Sequence, residues 1–367
     1  MDIDFTLEKL SLITSDHTYS LHPLWVRERS KEQDAVDQSN LQRLYNPETI
    51  TEDLKFKNVE RCDEKSVIIH FSDEYKAKYC LHELLAELNR DQVLPNKVHW
   101  DAQSIDIERL SFSYEEDETA QLINILDHYH KYGFVIVEGL KAQKGEVSNF
   151  AERIGFIRET NFGKTFDVVS VQNPIDQAYT SVELGSHTDN PYRKPVPSIQ
   201  FLLCIENTTI GGDSTIVDGY RVAEDLKKSD KKAFETLSNI IVKFKYQDKD
   251  SILEDESKII NLNDDGSFLQ IRFNNRHDFV FYDTQEKLTE FYRAKRKFHK
   301  MINSKDYMIQ FRLPPGGLLI VDNYRVLHGR TSFKTSKGNR FLQGLYIDHD
   351  SMESKYKILK VRNNGQG

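Results

Sequence analysis

The chain has 367 residues, a formal net charge of −8 at pH 7, and three cysteines. This length supports a large hydrophobic core and favours one big domain plus a smaller one. The acidic balance argues against nucleic acid as a partner, because phosphate binding needs a basic surface. Cys62, Cys80 and Cys204 cannot form a disulfide framework, which favours a reducing cytoplasmic location. The N-terminus lacks a signal-peptide pattern, and no run approaches 18 apolar residues, so we expect no membrane association.

The first part of the chain, residues 1–95, is predicted to be a small β-rich domain. Alternating apolar and polar residues and the run 65–71 indicate strands. A helix over Leu81–Leu88 is expected to close the domain. Residues 96–110 show little periodicity and are predicted to be a linker.

The remainder, residues 111–367, is predicted to be the main domain. Apolar spacing indicates helices over Thr119–Tyr132, 145–154 and 285–303. Short strands are predicted at 134–137, 166–171, 198–205, 213–217, 258–262, 268–273, 318–321 and 341–346. Many short strands with few helices predict a mostly β protein with flanking helices (α+β) and a double-sheet jelly-roll core, whose mouth can hold a metal.

A histidine and an aspartate stand two positions apart in the stretch Ser-His-Thr-Asp-Asn-Pro-Tyr at 186–192. In extended chain such side chains lie on one face, so His187 and Asp189 point the same way. With one distant histidine they form a two-His, one-carboxylate set that suits non-haem Fe(II). The pair alone is a weak signal, because this composition gives about two His-x-acid pairs by chance. The second such pair, His99 and Asp101, falls in the predicted linker, where a metal would not be held rigidly.

A candidate for the distant ligand is His328, in the stretch Asp-Asn-Tyr-Arg-Val-Leu-His-Gly-Arg at 322–330. It follows an apolar strand, so its side chain can project into the mouth of a barrel. Arg340 lies twelve residues further on, at the head of the next predicted strand. A buried arginine is costly unless it meets an anion, and its planar fork suits a carboxylate. This order is what 2-oxoglutarate chemistry needs, with iron chelating the C1 carboxylate and ketone while Arg340 holds the C5 carboxylate.

Together with Gly-Gly-Asp-Ser at 211–214 and the run 340–346, these motifs resemble the γ-butyrobetaine hydroxylase family of Fe(II)/2-oxoglutarate oxygenases. Taurine dioxygenase is a more distant relative. The similarity covers nearly the whole chain, and four motifs in the same order make it specific. The resemblance implies oxidative decarboxylation of 2-oxoglutarate to succinate and CO2, with hydroxylation of an unactivated C–H bond by O2. It also implies a homodimer and an activity that ascorbate supports.

The resemblance assigns roles to residues of this chain. His187, Asp189 and His328 become the catalytic iron ligands, and Arg340 with the backbone near Leu202 holds 2-oxoglutarate. An aromatic cage for a trimethylammonium group is expected, since ring faces attract a cation that cannot donate hydrogen bonds. Its four positions fall on Phe162, Phe166, Tyr179 and Tyr346. The implied substrate is a small quaternary ammonium compound such as γ-butyrobetaine, the precursor of carnitine.

The anionic end of the substrate is less well defined. Positions that hold the γ-butyrobetaine carboxylate in the family match Asp176 and the pair Asn274 and Asn275, whereas Asn190 replaces an aromatic residue. Arg276 is an added cation here, and it favours an anion with more charge or more oxygens. 2-(Trimethylammonio)ethylphosphonate is therefore an alternative substrate, and trimethyllysine a further one. Alternatively, Arg276 pairs with Asp176 or Asp278.

Animal members of the family carry a Cys3His zinc site in the N-terminal domain. The matching positions here are Ser30, Glu32, Ala35 and Tyr75, which cannot serve as a ligand set, so zinc is not expected. A different class, a metal-dependent hydrolase, could also use two histidines and one aspartate around zinc. The hydrolase alternative gives Arg340 no role.

Overall fold

The computed structural model describes residues 1–89, 94–114, 119–169, 181–334 and 338–363. The chain divides into two compact units, Met1–Val93 and Leu94–Gly367. Among the described residues, no helix combines the length and apolar character needed to cross a membrane.

Two three-stranded antiparallel sheets, β1-β2-β3 and β4-β5-β6, make up most of the first unit. Its elements are β1 (Asp2–Phe5), β2 (Leu10–Ile13), β3 (Thr18–Leu21), α1 (Pro23–Arg27), a 3-10 turn (Pro47–Thr49), β4 (Phe56–Arg61), β5 (Ser66–Phe71), β6 (Lys76–Cys80) and α2 (Leu81–Leu88). Alternate residues of the strands enter one core, where Leu10, Phe56 and Ile69 are fully buried. The helix predicted at 81–88 is confirmed.

The second unit is organised around two facing sheets. Its first half contains a 3-10 turn (Glu108–Leu110), β7 (Ser111–Ser113), α3 (Thr119–Tyr132), β8 (Phe134–Glu138), α4 (Glu146–Glu152), β9 (Phe166–Val169), β10 (Leu184–His187), β11 (Ile199–Asn207), β12 (Ile210–Gly211), β13 (Ser214–Asp218), α5 (Gly219–Ser229) and α6 (Lys231–Asn239). Its second half contains β14 (Val242–Gln247), β15 (Ile252–Ser257), β16 (Ile260–Leu262), β17 (Phe268–Ile271), β18 (Asp278–Val280), α7 (Gln285–Ile302), β19 (Ile309–Phe311), β20 (Leu318–Asp322), β21 (Val326–Arg330), β22 (Phe333–Lys334), β23 (Arg340–Ile347) and α8 (His349–Asn363).

The larger sheet has the order β7-β8-β20-β11-β23-β9, and the smaller has the order β10-β21-β13-β19. One core cluster joins Leu319 and Leu342 of the larger sheet to Ile216 and Val326 of the smaller one, so the sheets face each other. Helices α3, α4 and α8 cover the outer face of the larger sheet, and α5 to α7 cover that of the smaller. This is the predicted jelly roll with flanking helices.

The stretch 96–110, expected to be a linker, is packed into the second unit. Trp100 is 1% exposed, and its indole N–H donates to the Tyr132 carbonyl at 2.7 Å. His99 lies 3.2 Å from Glu224 and Asp101 lies 2.9 Å from Arg221, so each residue of this His-x-Asp pair has an ionic partner of its own. Low periodicity misled the prediction because an aromatic anchor can hold irregular chain against a core.

Among the described residues, four helices were not predicted as separate elements: α1, α5, α6 and α8. Asp218 and Asp230 cap the N-termini of α5 and α6 by accepting backbone N–H bonds from Tyr220 and Ala233. These caps and the turn at Asp230 divide one charged stretch into two short helices. By contrast, α3 ends at the predicted Gly133, whose φ of +79° suits the residue after a helix.

Candidate active site

The two histidines of the candidate metal set lie opposite each other on adjacent strands. In the β10–β21 pair, His187 and His328 are Cα partners, and their ring centroids are 4.5 Å apart. Side chains of directly paired residues stand on the same face of a sheet. The two rings are buried, with exposed fractions of 4% and 7%. The strand register thus brings together two residues that are remote in sequence.

Asp189 completes the set from just beyond the end of β10. Its Oδ1 lies 3.3 Å from Nε2 of His187 and 3.6 Å from Nε2 of His328. Its Oδ2 accepts hydrogen bonds from the Gln200 amide and, at 2.7 Å, from the Tyr346 hydroxyl. Burial acts to raise the pKa of Asp189, but His328, His187 and the Tyr346 hydroxyl together hold that pKa well below its usual value.

The donor atoms fit a divalent metal. Nδ1 of His187 donates to the Gly185 carbonyl at 2.9 Å, which leaves the Nε2 lone pair facing Asp189. Burial lowers the pKa of His328 to about 4, so its ring is neutral at pH 7. The three ligand atoms lie within 4.8 Å of one another. The imidazole nitrogen lone pairs and the negatively charged carboxylate repel each other unless a cation lies between them. Two imidazoles and one carboxylate on one face form a ligand set that suits Fe(II).

Arg340 lies at the start of β23 and lines the same cavity as the three ligands. Its Nε donates to the Gly212 carbonyl at 2.9 Å, and burial lowers its pKa to about 10. A Cβ at Gly212 would stand 2.9 Å from Cδ of Arg340, so glycine is needed for this close approach. Leu202 also lines the cavity, from the neighbouring strand β11. A guanidinium held in this way is suited to a carboxylate.

Aromatic side chains form one wall of the cavity. Phe166 and Tyr346 stack with centroids 5.1 Å apart, and Phe162 and Tyr192 also line the space. Gly344 makes room for this wall, because a Cβ there would lie 2.5 Å from Cζ of Phe166. Tyr179 and Asp176, expected in the pocket from the sequence, lie outside the described residues.

Polar groups occupy another part of the lining. Asn190, with φ of +50°, accepts the Tyr192 hydroxyl at 2.6 Å, and its buried Nδ2 has no partner among the described residues. Asn274 accepts from Nε of Arg276 at 3.2 Å, and both residues line the cavity. Asn275 is exposed and does not belong to the lining, because it lies in the turn that the His277 N–H closes by donating to the Asn274 carbonyl. The prediction of Asn275 as a pocket residue is therefore not supported by its position.

The comparisons with known proteins agree with this geometry. Residues 91–346 match the family described as taurine catabolism dioxygenase TauD, TfdA family. The γ-butyrobetaine dioxygenase of Pongo abelii is 32% identical, over 96% of this chain and 95% of its own length. The γ-butyrobetaine dioxygenase of Pseudomonas sp. strain AK-1 is 30% identical, over 92% of this chain and 90% of its own length. A crystal structure of asparagine oxygenase with Fe(II), 3-hydroxyasparagine and succinate shares the fold, with a TM-score of 0.50 and 15% sequence identity. The match covers 65% of this chain and 93% of the asparagine oxygenase chain.

The chain belongs to the TauD, TfdA dioxygenase family, in the group of the γ-butyrobetaine dioxygenases. It is a non-haem Fe(II)/2-oxoglutarate-dependent dioxygenase.

Several side chains of this dioxygenase line the cavity without having been predicted from the sequence: Tyr192, Gln200, Ser214, His277 and Arg330. Gln200 had a detectable signal, because a lone amide in the apolar run at 199–204 must find a buried partner. That partner is Asp189. Arg330 gave no such signal, because β21 places it at the cavity only through long-range pairing. His277 lies in the turn before β18 and gave no signal either.

Proposed function

We propose that this dioxygenase hydroxylates an unactivated C–H bond of a small trimethylammonium zwitterion, with γ-butyrobetaine as the substrate. The observation that carries the proposal is an aromatic wall in the same cavity as the His-Asp-His set. A trimethylammonium group has no N–H to donate, so aromatic faces are its best partners. The γ-butyrobetaine dioxygenases among the relatives support the same substrate.

The residues at the centre of the cavity then take these roles. His187, Asp189 and His328 would hold Fe(II), and Arg340 together with the backbone near Leu202 would hold 2-oxoglutarate. The bound iron supplies the activation of O2 that oxidative decarboxylation and C–H hydroxylation require. Gln200 and Tyr346 fix the orientation of the Asp189 carboxylate, and the Gly185 carbonyl fixes the tautomer of His187.

The polar part of the lining is suited to the anionic end of the substrate. The unpartnered Nδ2 of Asn190 is a buried donor on the cavity, and a buried donor without an acceptor costs about 1–3 kcal/mol. A substrate oxygen would satisfy it. Arg276 adds a cation to the same lining. Its presence favours 2-(trimethylammonio)ethylphosphonate as a second candidate substrate, since a phosphonate offers more charge and a third oxygen.

The test compares succinate and hydroxylated product with four compounds. These are γ-butyrobetaine, 2-(trimethylammonio)ethylphosphonate, trimethyllysine, and 5,5-dimethylhexanoate, in which carbon replaces the cationic nitrogen of γ-butyrobetaine. We expect γ-butyrobetaine to give equal amounts of succinate and hydroxylated product. The KM of the neutral isostere should be about 2- to 30-fold higher than that of γ-butyrobetaine. Equal turnover of the isostere would rule out cation recognition by the aromatic wall.

Arg276→Ala distinguishes the two anions. If the natural substrate carries a carboxylate, Arg276→Ala keeps its turnover of γ-butyrobetaine. If the natural substrate carries a phosphonate, Arg276→Ala loses its turnover of 2-(trimethylammonio)ethylphosphonate. Arg296→Ala removes an exposed arginine from α7 and is the matched control. We also expect a homodimer, which gel filtration with light scattering tests directly.

A further inference from the structure

The sheet places two of the three proposed iron ligands, but not the third. His187 and His328 are ladder partners in the β10–β21 pair. Asp189 lies two positions beyond the end of β10, where strand pairing no longer sets its position. The next residue, Asn190, has φ of +50°, so the chain turns away from the sheet immediately afterwards. The backbone of Asp189 therefore needs another anchor.

Asn323 is that anchor. Its Oδ1 accepts the backbone N–H of Asp189 at 2.7 Å, and its Nδ2 donates to the Asp189 carbonyl at 3.0 Å. The same Nδ2 donates to the Pro197 carbonyl at 2.8 Å. Asn323 has an exposed fraction of 0%, so water does not compete for these bonds. One amide thus fixes both backbone polar groups of the carboxylate ligand.

Asn323 also belongs to the segment that carries another ligand. It lies in the tight turn between β20 and β21, five positions before His328. This turn is held by the Arg325 N–H, which donates to the Asp322 carbonyl, and by the fully buried ion pair of Arg325 with Asp218. A rigid segment that holds Asp189 at one end and bears His328 at the other sets the spacing between them.

We infer that Asn323 is a positioning residue, which fixes the backbone of Asp189 so that its carboxylate meets the two imidazoles at the metal. The inference rests on the proposed iron-ligand set. Only a side-chain amide fits the role, because the site needs one acceptor and one donor group on the same planar unit. Aspartate retains the acceptor and loses both donated bonds, while alanine loses all three. Groups that support metal ligands typically contribute 10–100-fold to metal affinity.

The experiment measures Fe(II) affinity without turnover. Wild type, Asn323→Asp, Asn323→Ala and Asn261→Ala are titrated anaerobically with Fe(II), and the charge-transfer absorption of the Fe(II)–2-oxoglutarate chelate is recorded. Asn261 is the matched control, because its amide also accepts one bond and donates to two backbone carbonyls, in the β16 region. Thermal unfolding of each variant defines the temperature at which all are folded.

The expected result is a 10–100-fold weaker Fe(II) affinity and an altered absorption band in both Asn323 variants, with the control unchanged. Wild-type affinity and spectrum in folded Asn323→Asp would overturn the inference, whatever the behaviour of the alanine variant. His187→Ala separates this failure from failure of the ligand set. If that variant binds Fe(II) like wild type, the ligand set is wrong and the positioning role of Asn323 is wrong with it.

Discussion

Tyr346 donates a 2.7 Å hydrogen bond to Asp189, so a single side chain joins the aromatic wall to the proposed metal ligands. Its ring stacks on Phe166, and its hydroxyl lies on the carboxylate oxygen that faces away from the histidines. Substrate contact and ligand orientation are thereby coupled through one rigid ring. The two functions can be separated by substitutions that remove the hydroxyl or the ring alone.

Tyr346→Phe retains the ring and removes the hydroxyl. Loss of a hydrogen bond to a charged group costs about 1.5–3 kcal/mol, so we expect Fe(II) affinity to fall by roughly 10-fold or more. The KM for γ-butyrobetaine should change little, because the aromatic face remains. Phe166→Leu is the complementary variant and should raise the substrate KM while leaving Fe(II) affinity intact. Identical effects of the two variants would contradict this separation.

Arg340→Gln tests the 2-oxoglutarate site. The substitution removes the only charge that we assign to the C5 carboxylate, and we expect the KM for 2-oxoglutarate to rise by about 10- to 100-fold. Arg340→Lys should be intermediate, because it keeps the charge but loses the fork and the bond to Gly212. Steady-state kinetics at saturating γ-butyrobetaine give both values. An unchanged KM in Arg340→Gln would exclude the assignment.

Gly344→Ala tests how the aromatic wall is built. The added Cβ would stand 2.5 Å from Cζ of Phe166 and 3.0 Å from Cδ2 of Leu202, so Phe166 must move. We expect a higher KM for γ-butyrobetaine and more succinate formed per hydroxylated product. Combining the change with Phe166→Leu should recover the melting temperature but not the substrate affinity. Recovery of both would show that Phe166 makes no substrate contact.

The pair formed by His349 and Asp322 predicts a pH dependence of stability. Burial acts to lower the pKa of His349, but Asp322, 3.1 Å away, raises that pKa above 6.5. The stabilisation from His349 is therefore complete below pH 6.5 and is lost as the pH rises through its folded pKa. Burial also opposes ionisation of Asp322, but His349 brings the pKa of Asp322 down to about 2, so its contribution is lost only as the pH falls towards that value.

Denaturant titrations between pH 6 and 9 measure this effect. The free energy of unfolding of the wild type should decrease across the range, and His349→Gln should reduce the slope. Lys97, Glu353, Asp127 and His130 also act electrostatically on this region, so part of the slope will remain. His299→Gln, which changes an exposed histidine of α7, should retain the wild-type slope. Equal slopes in wild type and His349→Gln would refute the assignment.

The first unit is predicted to be stable without a metal. Two of the positions matched to the family zinc ligands, Ser30 and Tyr75, are joined by a 2.7 Å hydrogen bond, and Cζ of Arg27 lies 3.2 Å from the Tyr75 ring centroid. Chelator should leave the unfolding of this unit unchanged. Tyr75→Phe should cost about 1 kcal/mol, and Tyr75→Leu about 0.5–2 kcal/mol more, through loss of the cation–π contact. A chelator-induced loss of stability would show that a metal contributes.

Much of the fold follows from local patterns in the sequence. The 3.6-residue period of α3 and α7 and the apolar runs of β11 and β20 depend on neighbours in the chain, and these elements lie where they were predicted. The spacing of His187 and Asp189 has the same local origin. Boundaries set by side-chain caps, such as the division of α5 from α6, were missed because a cap is recognised only when its partners are known.

The sequence by itself therefore determined the elements with strong local periodicity, the family and the identity of the candidate ligands. Only the tertiary structure decided that Trp100 anchors an irregular segment, that Asn274 rather than Asn275 faces the cavity, and that Asn323 holds Asp189 from 134 positions away. These facts depend on strand register and on which backbone groups the sheets leave unpaired. Strand register and backbone pairing cannot be read from the residues adjacent in sequence. Burial and hydrogen bonding depend on chain segments that come into contact only when the whole domain packs.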